Sequence, residues 1–191
     1  MQKIFLIDAD GVVLKKHEYF STRLARELEL PAEDVTRFFT GDFVRCVMGQ
    51  ADLKEVIAPY VIKWGWLKSV DDLIEFWFES ENIVEHEVVR AIADARTRGH
   101  FCYMVSDQEK YRAEFIRASI GHAFDGCYFS CDIGLKKSDP AYFTYVLTDL
   151  AAEKEQVKYM DDDPKNVAVA TEFGLESRVF AGLEDLDFLQ D

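Results

Sequence analysis

Lys3-Ile4-Phe5-Leu6-Ile7-Asp8-Ala9-Asp10-Gly11-Val12-Val13 is the stretch on which the reading of the fold turns. The apolar run Ile4 to Ile7 lacks the apolar–polar alternation of a half-exposed strand, so it predicts a strand covered on both faces. That strand ends abruptly in two carboxylates followed by a glycine. In an open parallel α/β sheet, ligands gather at the carboxyl ends of the strands, which places Asp8 and Asp10 in a binding crevice. Gly11 lets the backbone turn at that point.

Outward from this strand, Tyr19 to Leu30 carries Phe20, Leu24 and Leu28 at helical spacing and stops at Pro31. A second helix is expected from Pro31 to Phe39, ending at Gly41, while residues 42–49 fit neither period. Asp52 to Trp64 and Val70 to Phe78 repeat the helical spacing, giving a helical block with no strand. From Val84 the pattern changes. A helix that breaks at Gly99 leads to a strand from His100 to Ser106, then to a helix from about Glu109 to Ser119. A strand-like Gly126 to Ser130 and a loop over 132–138 precede a helix with Asp139 as N-cap and Pro140 in its first turn. Val157 to Met160 reads as another strand, ending in Asp161-Asp162-Asp163. A helix from Pro164 to Phe173, with Asp163 as N-cap and Gly174 at its end, precedes a last strand near Arg178–Phe180 and a C-terminal helix. Strands alternating with helices predict the α/β class: a Rossmann-like, doubly wound parallel sheet over residues 1–14 and 84–191, with 15–83 inserted as a small helical cap.

Composition narrows the function. At 191 residues the chain can bury one sizeable core plus an insertion. A net charge of −14 and a pI of about 4.7 repel nucleic acid and anionic membranes, so neither is an expected partner; a small anion remains possible at a metal site. Cys46, Cys102, Cys127 and Cys131 are scattered, and the C-x3-C spacing of the last two has no second pair beside it, so reduced, mostly buried thiols are expected. The four histidines (His17, His86, His100, His122) lie at no ligand spacing. The N-terminal residues lack a leader pattern and no apolar run reaches the roughly 18 residues that span a bilayer, so a cytoplasmic location is the expectation. The aromatics of the helical block (Phe38, Phe39, Phe43, Trp64, Trp66, Trp77, Phe78) are expected to be mostly core, with one or two lining a pocket. Arg45 is expected to be solvated.

Four strand ends carry polar residues: Asp8 and Asp10, then Ser106, then the Lys136-Lys137 loop, then Asp161 and Asp162. In a parallel sheet these ends point the same way, so the groups converge. Four carboxylates against one or two lysines repel each other and any anionic substrate unless a hard divalent cation sits among them. Ligands that are all oxygen favour Mg²⁺.

In this order the motifs resemble those of the haloacid dehalogenase superfamily of hydrolases: Asp8-Ala9-Asp10-Gly11-Val12, Ser106 after an apolar run, Lys137 within Gly134-Leu135-Lys136-Lys137-Ser138-Asp139-Pro140, and Asp161-Asp162 followed by Asn166 and Gly174. The insertion looks like a C1-type cap, and Met48-Gly49-Gln50-Ala51-Asp52-Leu53 is similar to the cap of the subfamily that holds small sugar-phosphate phosphatases. The resemblance implies that Asp8 is a nucleophile forming an aspartyl-phosphate. It implies that Asp10 is a general acid and base whose main-chain carbonyl also ligates Mg²⁺. Ser106 and the neighbouring amide of Asp107 would hold the phosphoryl oxygens, Lys137 would stabilise nucleophile and transition state, and Asp162 with Asp161 would hold the metal bridging Asp8 and the phosphate. Dehalogenases of the superfamily carry a non-acid at the position of Asp10, because a halide leaves without a proton. Two departures are Asp107, where relatives often have asparagine, and Ser138, where they usually have proline. The implied function is a Mg²⁺-dependent phosphatase acting on a small phosphorylated metabolite. A phosphomutase, or a non-catalytic binding protein on the same fold, are the alternatives.

Overall fold

The computed structural model describes residues 2–15 and 18–190. His17, and the terminal residues of the expected core, lie outside them. From β1 (Ile4–Ile7) the chain passes through β2 (Leu14–Lys15) into α1 (Phe20–Glu27), α2 (Ala32–Thr40), α3 (Phe43–Val47), α4 (Leu53–Lys63) and α5 (Val70–Ser80), and returns through β3 (Ile83–Val84). There follow α6 (His86–Thr97), β4 (Phe101–Ser106), α7 (Lys110–Ile120), β5 (Gly126–Phe129), a single turn α8 (Ser130–Ile133) and α9 (Pro140–Asp149). The chain ends with β6 (Val157–Asp161), α10 (Pro164–Phe173), β7 (Glu176–Val179) and a 3-10 helix over Leu183–Leu189.

β1 is the middle strand of a parallel five-stranded sheet of order β5-β4-β1-β6-β7. Ile7 lies opposite both Met104 and Met160. Phe5 and Ile7 join the apolar cluster on one face, with Val88, Ile92 and Ile116, while Leu6 joins the cluster on the other face, with Phe143, Val146 and Tyr159. All three residues are fully buried, which accounts for the run without alternation, and each such side chain stabilises the fold by about 1.5–3 kcal/mol. Because the chain leaves β1 toward β4 and β5 and comes back to β6 and β7, the strand order reverses at β1. The carboxyl ends there open a crevice.

Local capping sets the helices that lead away from the crevice. Asp139 accepts a hydrogen bond from the Ala141 amide and Asp163 one from the Lys165 amide, both at 2.9 Å, with proline in the first turn in each case. Gly174 closes α10 in the left-handed conformation.

The structure corrects several local expectations. Residues 42–49 contain the helix α3, too short to show a period. The passages into and out of the helical block are not strand-free: β2 and β3 pair antiparallel, Leu14 opposite Val84, because the two chain crossings run side by side and satisfy each other's backbone. Two residues per strand leave no alternation to read. The 132–138 loop starts inside α8, and the C-terminal helix is 3-10. Helices α1 to α5 bury their own cluster, including Phe20, Leu24, Phe38, Ile57 and Leu73, with Phe20 stacked on Trp77 at 5.0 Å. The cysteines are all free thiols, Cys46 and Cys102 buried and the other two half-buried. No helix among the described residues is long and apolar enough to cross a membrane.

Candidate active site

Asp8 leaves the end of β1 with its amide still bonded to the Met160 carbonyl at 2.9 Å, so the β1–β6 ladder fixes its backbone. Its Oδ1 accepts from the Ala9 amide at 2.8 Å and lies 2.6 Å from Lys137 Nζ. Lys137 Nζ also reaches Asp161 Oδ2 at 2.7 Å, and its side chain is only 3% exposed, so one buried ammonium is shared by two buried carboxylates. Of the two adjacent lysines, it is Lys137 that turns inward. Its amide donates to Asp107 Oδ1 at 3.0 Å, which sets the loop.

The charges shape one another. Burial pushes the Asp8 carboxyl well above the usual carboxylate range; Lys137 opposes that push and Asp161 adds to it. For Asp161, burial acts in the same upward direction, but Lys137 and the hydrogen bonds from Tyr159 and the Asp163 amide outweigh it and hold the carboxyl low. Burial works against the Lys137 ammonium, yet Asp8, Asp161 and Asp107 raise its pKa. Asp107 is itself raised by burial.

Asp161 is held on both oxygens: Oδ2 accepts from Lys137, from the Tyr159 hydroxyl and from Asn166 Nδ2 at 3.2 Å, and Oδ1, accepting from the Asp163 amide at 2.7 Å, keeps a lone pair for a cation. Asp162 is exposed and lies against the β1 turn. There Gly11 has φ +84°, and a Cβ on it would lie 1.9 Å from Asp162 Oδ2, so only glycine leaves room for that carboxylate. Oxygen atoms of Asp8, Asp161 and Asp162 fall within 4.8 Å of one another. This all-oxygen donor set fits a hard divalent cation.

The Asp10 carboxylate stands outside that trio. Its Oδ2 accepts from Gln108 Nε2 at 2.6 Å and its Oδ1 lies 3.4 Å from Arg112 Nη2. For a metal, this leaves the main-chain carbonyl as the expected contribution of Asp10. Ser106 ends β4, buried, and accepts from Gln108 Nε2 at 3.0 Å. The sheet thus brings Asp8, Ser106, Lys137 and Asp161 together, with Asp107, Asp162 and Asp10 around them.

Three participants were not foreseen from the sequence. Tyr159 had a readable signal, since it lies two residues before Asp161 on one strand and therefore on the same face. Gln108 and Arg112 had none: their contacts to Asp10 join residues 98 and 102 positions apart. Arg112 also donates to the Glu81 carbonyl just beyond α5, so the core helix α7 touches both the β1 turn and the helical block.

A cavity of about 350 Å³ opens beside Asp10, Asp107, Gln108 and Arg112, with Leu14, Tyr19, Phe39, Phe43 and Trp77 on its other walls. Three aromatics of the block, Phe39, Phe43 and Trp77, line the pocket where one or two were expected, while Phe38 and Trp64 are core. Arg45 is exposed and lies away from this cavity.

Comparison with known proteins places the chain among relatives. The HAD family enzyme bt-2542 from Bacteroides thetaiotaomicron superposes with a TM-score of 0.86 at 18% identity, over 100% of this chain and 98% of that one. The same enzyme, solved in complex with magnesium and inorganic phosphate, gives 0.80 at 17% identity over 94% of each chain. The L-2-haloacid dehalogenase from Xanthobacter autotrophicus, with chloropropionic acid covalently bound, gives 0.66 at 17% identity over 95% of this chain and 78% of that one. At these identities the likeness establishes the fold. Among curated proteins, drimenol cyclase drtB of Aspergillus calidoustus is 39% identical over 57 residues, which is 30% of this chain but 11% of that protein. The family model of haloacid dehalogenase-like hydrolases matches residues 2–174, nearly the full length, and the chain belongs to that family.

Proposed function

We propose that the protein is a Mg²⁺-dependent phosphomonoesterase working through an aspartyl-phosphate on Asp8. The observation that carries this reading is Asp10: a carboxylic acid two residues after the candidate nucleophile, held by Gln108 and Arg112 at the edge of the cavity. A halide leaves without a proton; an alcohol needs one.

Asp8 attacks phosphorus with a carboxylate oxygen, Oδ1 remaining anchored by Lys137 and the Ala9 amide. As the P–O bond to the alcohol breaks, the Asp10 carboxyl donates its proton to the departing oxygen. The resulting carboxylate then takes a proton from water that attacks the phosphoaspartate, releasing inorganic phosphate and restoring both acids. Ser106, the Asp107 amide and Lys137 supply donors for the phosphoryl oxygens. Asp8, Asp161 and Asp162, with the Asp10 carbonyl, would hold Mg²⁺, which supplies positive charge where carboxylates and phosphate meet. Residues 15–83 act as a cap that opens for substrate and closes over the crevice, excluding water.

The dehalogenase among the structural neighbours makes halide release the reading to exclude. The deciding experiment is hydrolysis of p-nitrophenyl phosphate with Mg²⁺. Asp8→Asn and EDTA should each abolish it, and Mg²⁺ should restore the EDTA-treated protein. Full turnover by Asp8→Asn, or halide release from 2-chloropropionate in place of phosphate release, sinks the proposal. Formation of an isomeric sugar phosphate instead of inorganic phosphate would point to a mutase.

A further inference from the structure

We infer that the alcohol carried by the substrate is apolar, a compact aromatic or hydrocarbon group, and not a polyhydroxylated sugar; this deepens the phosphomonoesterase reading and rests on it. The cavity is continuous with the reaction site, because Asp10, Asp107 and Gln108 line both. Its wall away from those residues is mostly apolar or aromatic, with Leu14, Tyr19, Phe39, Phe43 and Trp77, and includes Ser21, Thr36 and Glu81. Phe39 and Phe43 are half-buried and Tyr19 is 59% exposed, so these rings are left partly open beside the phosphate site. Phe39, Phe43 and Trp77 pack on one another at 5.2, 5.2 and 5.4 Å between centroids, in edge-on and tilted pairs that present both ring faces and ring edges.

A sugar needs directional donors and acceptors around its hydroxyls, and a site built for them is penalised when they go unmet. Several of the polar groups in this cavity are already engaged within the protein. Thr36 donates to the Ala32 carbonyl. The two Glu81 carboxylate oxygens accept from the Phe20 amide at 2.7 Å and from Trp77 Nε1 at 2.9 Å. Gln108 Nε2 serves Asp10 and Ser106, and Arg112 Nη2 serves Asp10 and the Glu81 carbonyl, while Arg112 Nη1 is buried without a hydrogen-bond partner among the described residues and Ser21 adds one hydroxyl to the wall. What is left toward the leaving group is chiefly ring surface, and 350 Å³ is room for about a dozen water-sized groups, enough for a phosphate with a ring or short chain attached.

The test compares primary alkyl phosphates, whose leaving alcohols have similar basicity, so that differences report the organic group. With Mg²⁺, kcat/KM for 2-phenylethyl phosphate is expected to exceed that for glycerol 3-phosphate and glucose 6-phosphate by at least about tenfold, the ratio that burying one ring confers. Phe43→Ala should cut the preference several-fold through KM. In parallel, calorimetry with Mg²⁺ compares 2-phenylethylphosphonate with methylphosphonate, neither of which can be hydrolysed at an ester bond. Phosphate release without preference for the phenyl substrate overturns this inference and leaves the phosphatase reading standing. Preferential binding of the phenyl phosphonate, lost in Phe43→Ala, without any turnover overturns the phosphatase reading and keeps the apolar pocket. Equal binding of the two phosphonates overturns the pocket assignment directly.

Discussion

Replacing Lys137 by methionine removes one buried charge and leaves two. Asp8 Oδ1 and Asp161 Oδ2 sit 2.6 and 2.7 Å from the ammonium, and oxygens of the two carboxylates fall within 4.8 Å of each other. At an effective dielectric of about 20, two like charges at that separation repel by about 3.5 kcal/mol. Breaking a buried ion pair by deleting one partner characteristically costs about 3–5 kcal/mol, so the two routes agree. The variant can escape by taking up a proton on the carboxylate pair. Its folded state then binds a proton that the unfolded state releases above about pH 4, so its stability falls as pH rises. Urea unfolding followed by circular dichroism in EDTA should therefore show Lys137→Met destabilised by about 3–5 kcal/mol at pH 8 and by distinctly less at pH 5. Mg²⁺ should recover part of the loss at pH 8 by replacing the missing positive charge. Adding Asp8→Asn should also recover part of it, giving a double variant more stable than the sum of the single losses predicts. A loss below about 1 kcal/mol at pH 8, or one equal at both pH values, would refute the account of Lys137 as the shared counter-charge.

Other perturbations probe the remaining groups. Asp10→Asn should lower steady-state turnover of p-nitrophenyl phosphate by about 10²–10⁴-fold while still giving a burst of p-nitrophenolate equal to the enzyme, because that leaving group needs no proton and only the water step is lost; stopped-flow traces without a burst count against the acid–base role. Gly11→Ala should cost about 1–2 kcal/mol for its φ of +84° and, by displacing Asp162, shrink the rise in melting temperature produced by Mg²⁺; an undiminished rise would separate Asp162 from the metal. Burial pushes Glu109 from 4.5 up to about 7, so the folded state keeps a proton there that the unfolded chain has lost, and this penalty grows as pH rises from 4.5 to 7. The gap of about 2.5 pH units corresponds to about 3 kcal/mol, so Glu109→Gln should gain on the parent protein by about that much between pH 4 and pH 8; a difference in unfolding free energy that ignores pH would contradict it.

Much of this site was legible along the chain because its framework is local or periodic. A four-residue apolar run followed by two acids and a glycine reads as a short strand buried on both faces that delivers them at its end, and β1 is that strand. Asp139-Pro140 and Asp163-Pro164 start helices by rules that act within one turn, and they do so here. Parallel alternation then forces the ends of β1, β4 and β6 to one edge, which is why Asp8, Ser106 and Asp161 meet.

Contacts that depend on how distant segments pack could not be read this way. Lys136 and Lys137 are chemically equivalent neighbours, and only the bend anchored by Asp107 turns the second one inward. Gln108 and Arg112 carry no pattern that points to Asp10, since the partner lies across a crossover of about a hundred residues. Phe38 and Phe39 are adjacent aromatics in one helix, yet the first is fully buried in the helical core and the second opens onto the cavity. Residue order determined the framework, because hydrophobic periodicity and capping act over a few residues. Tertiary packing alone decided which lysine, which ring and which arginine face the crevice, because those choices depend on side chains that meet only after the sheet and the helical block have come together.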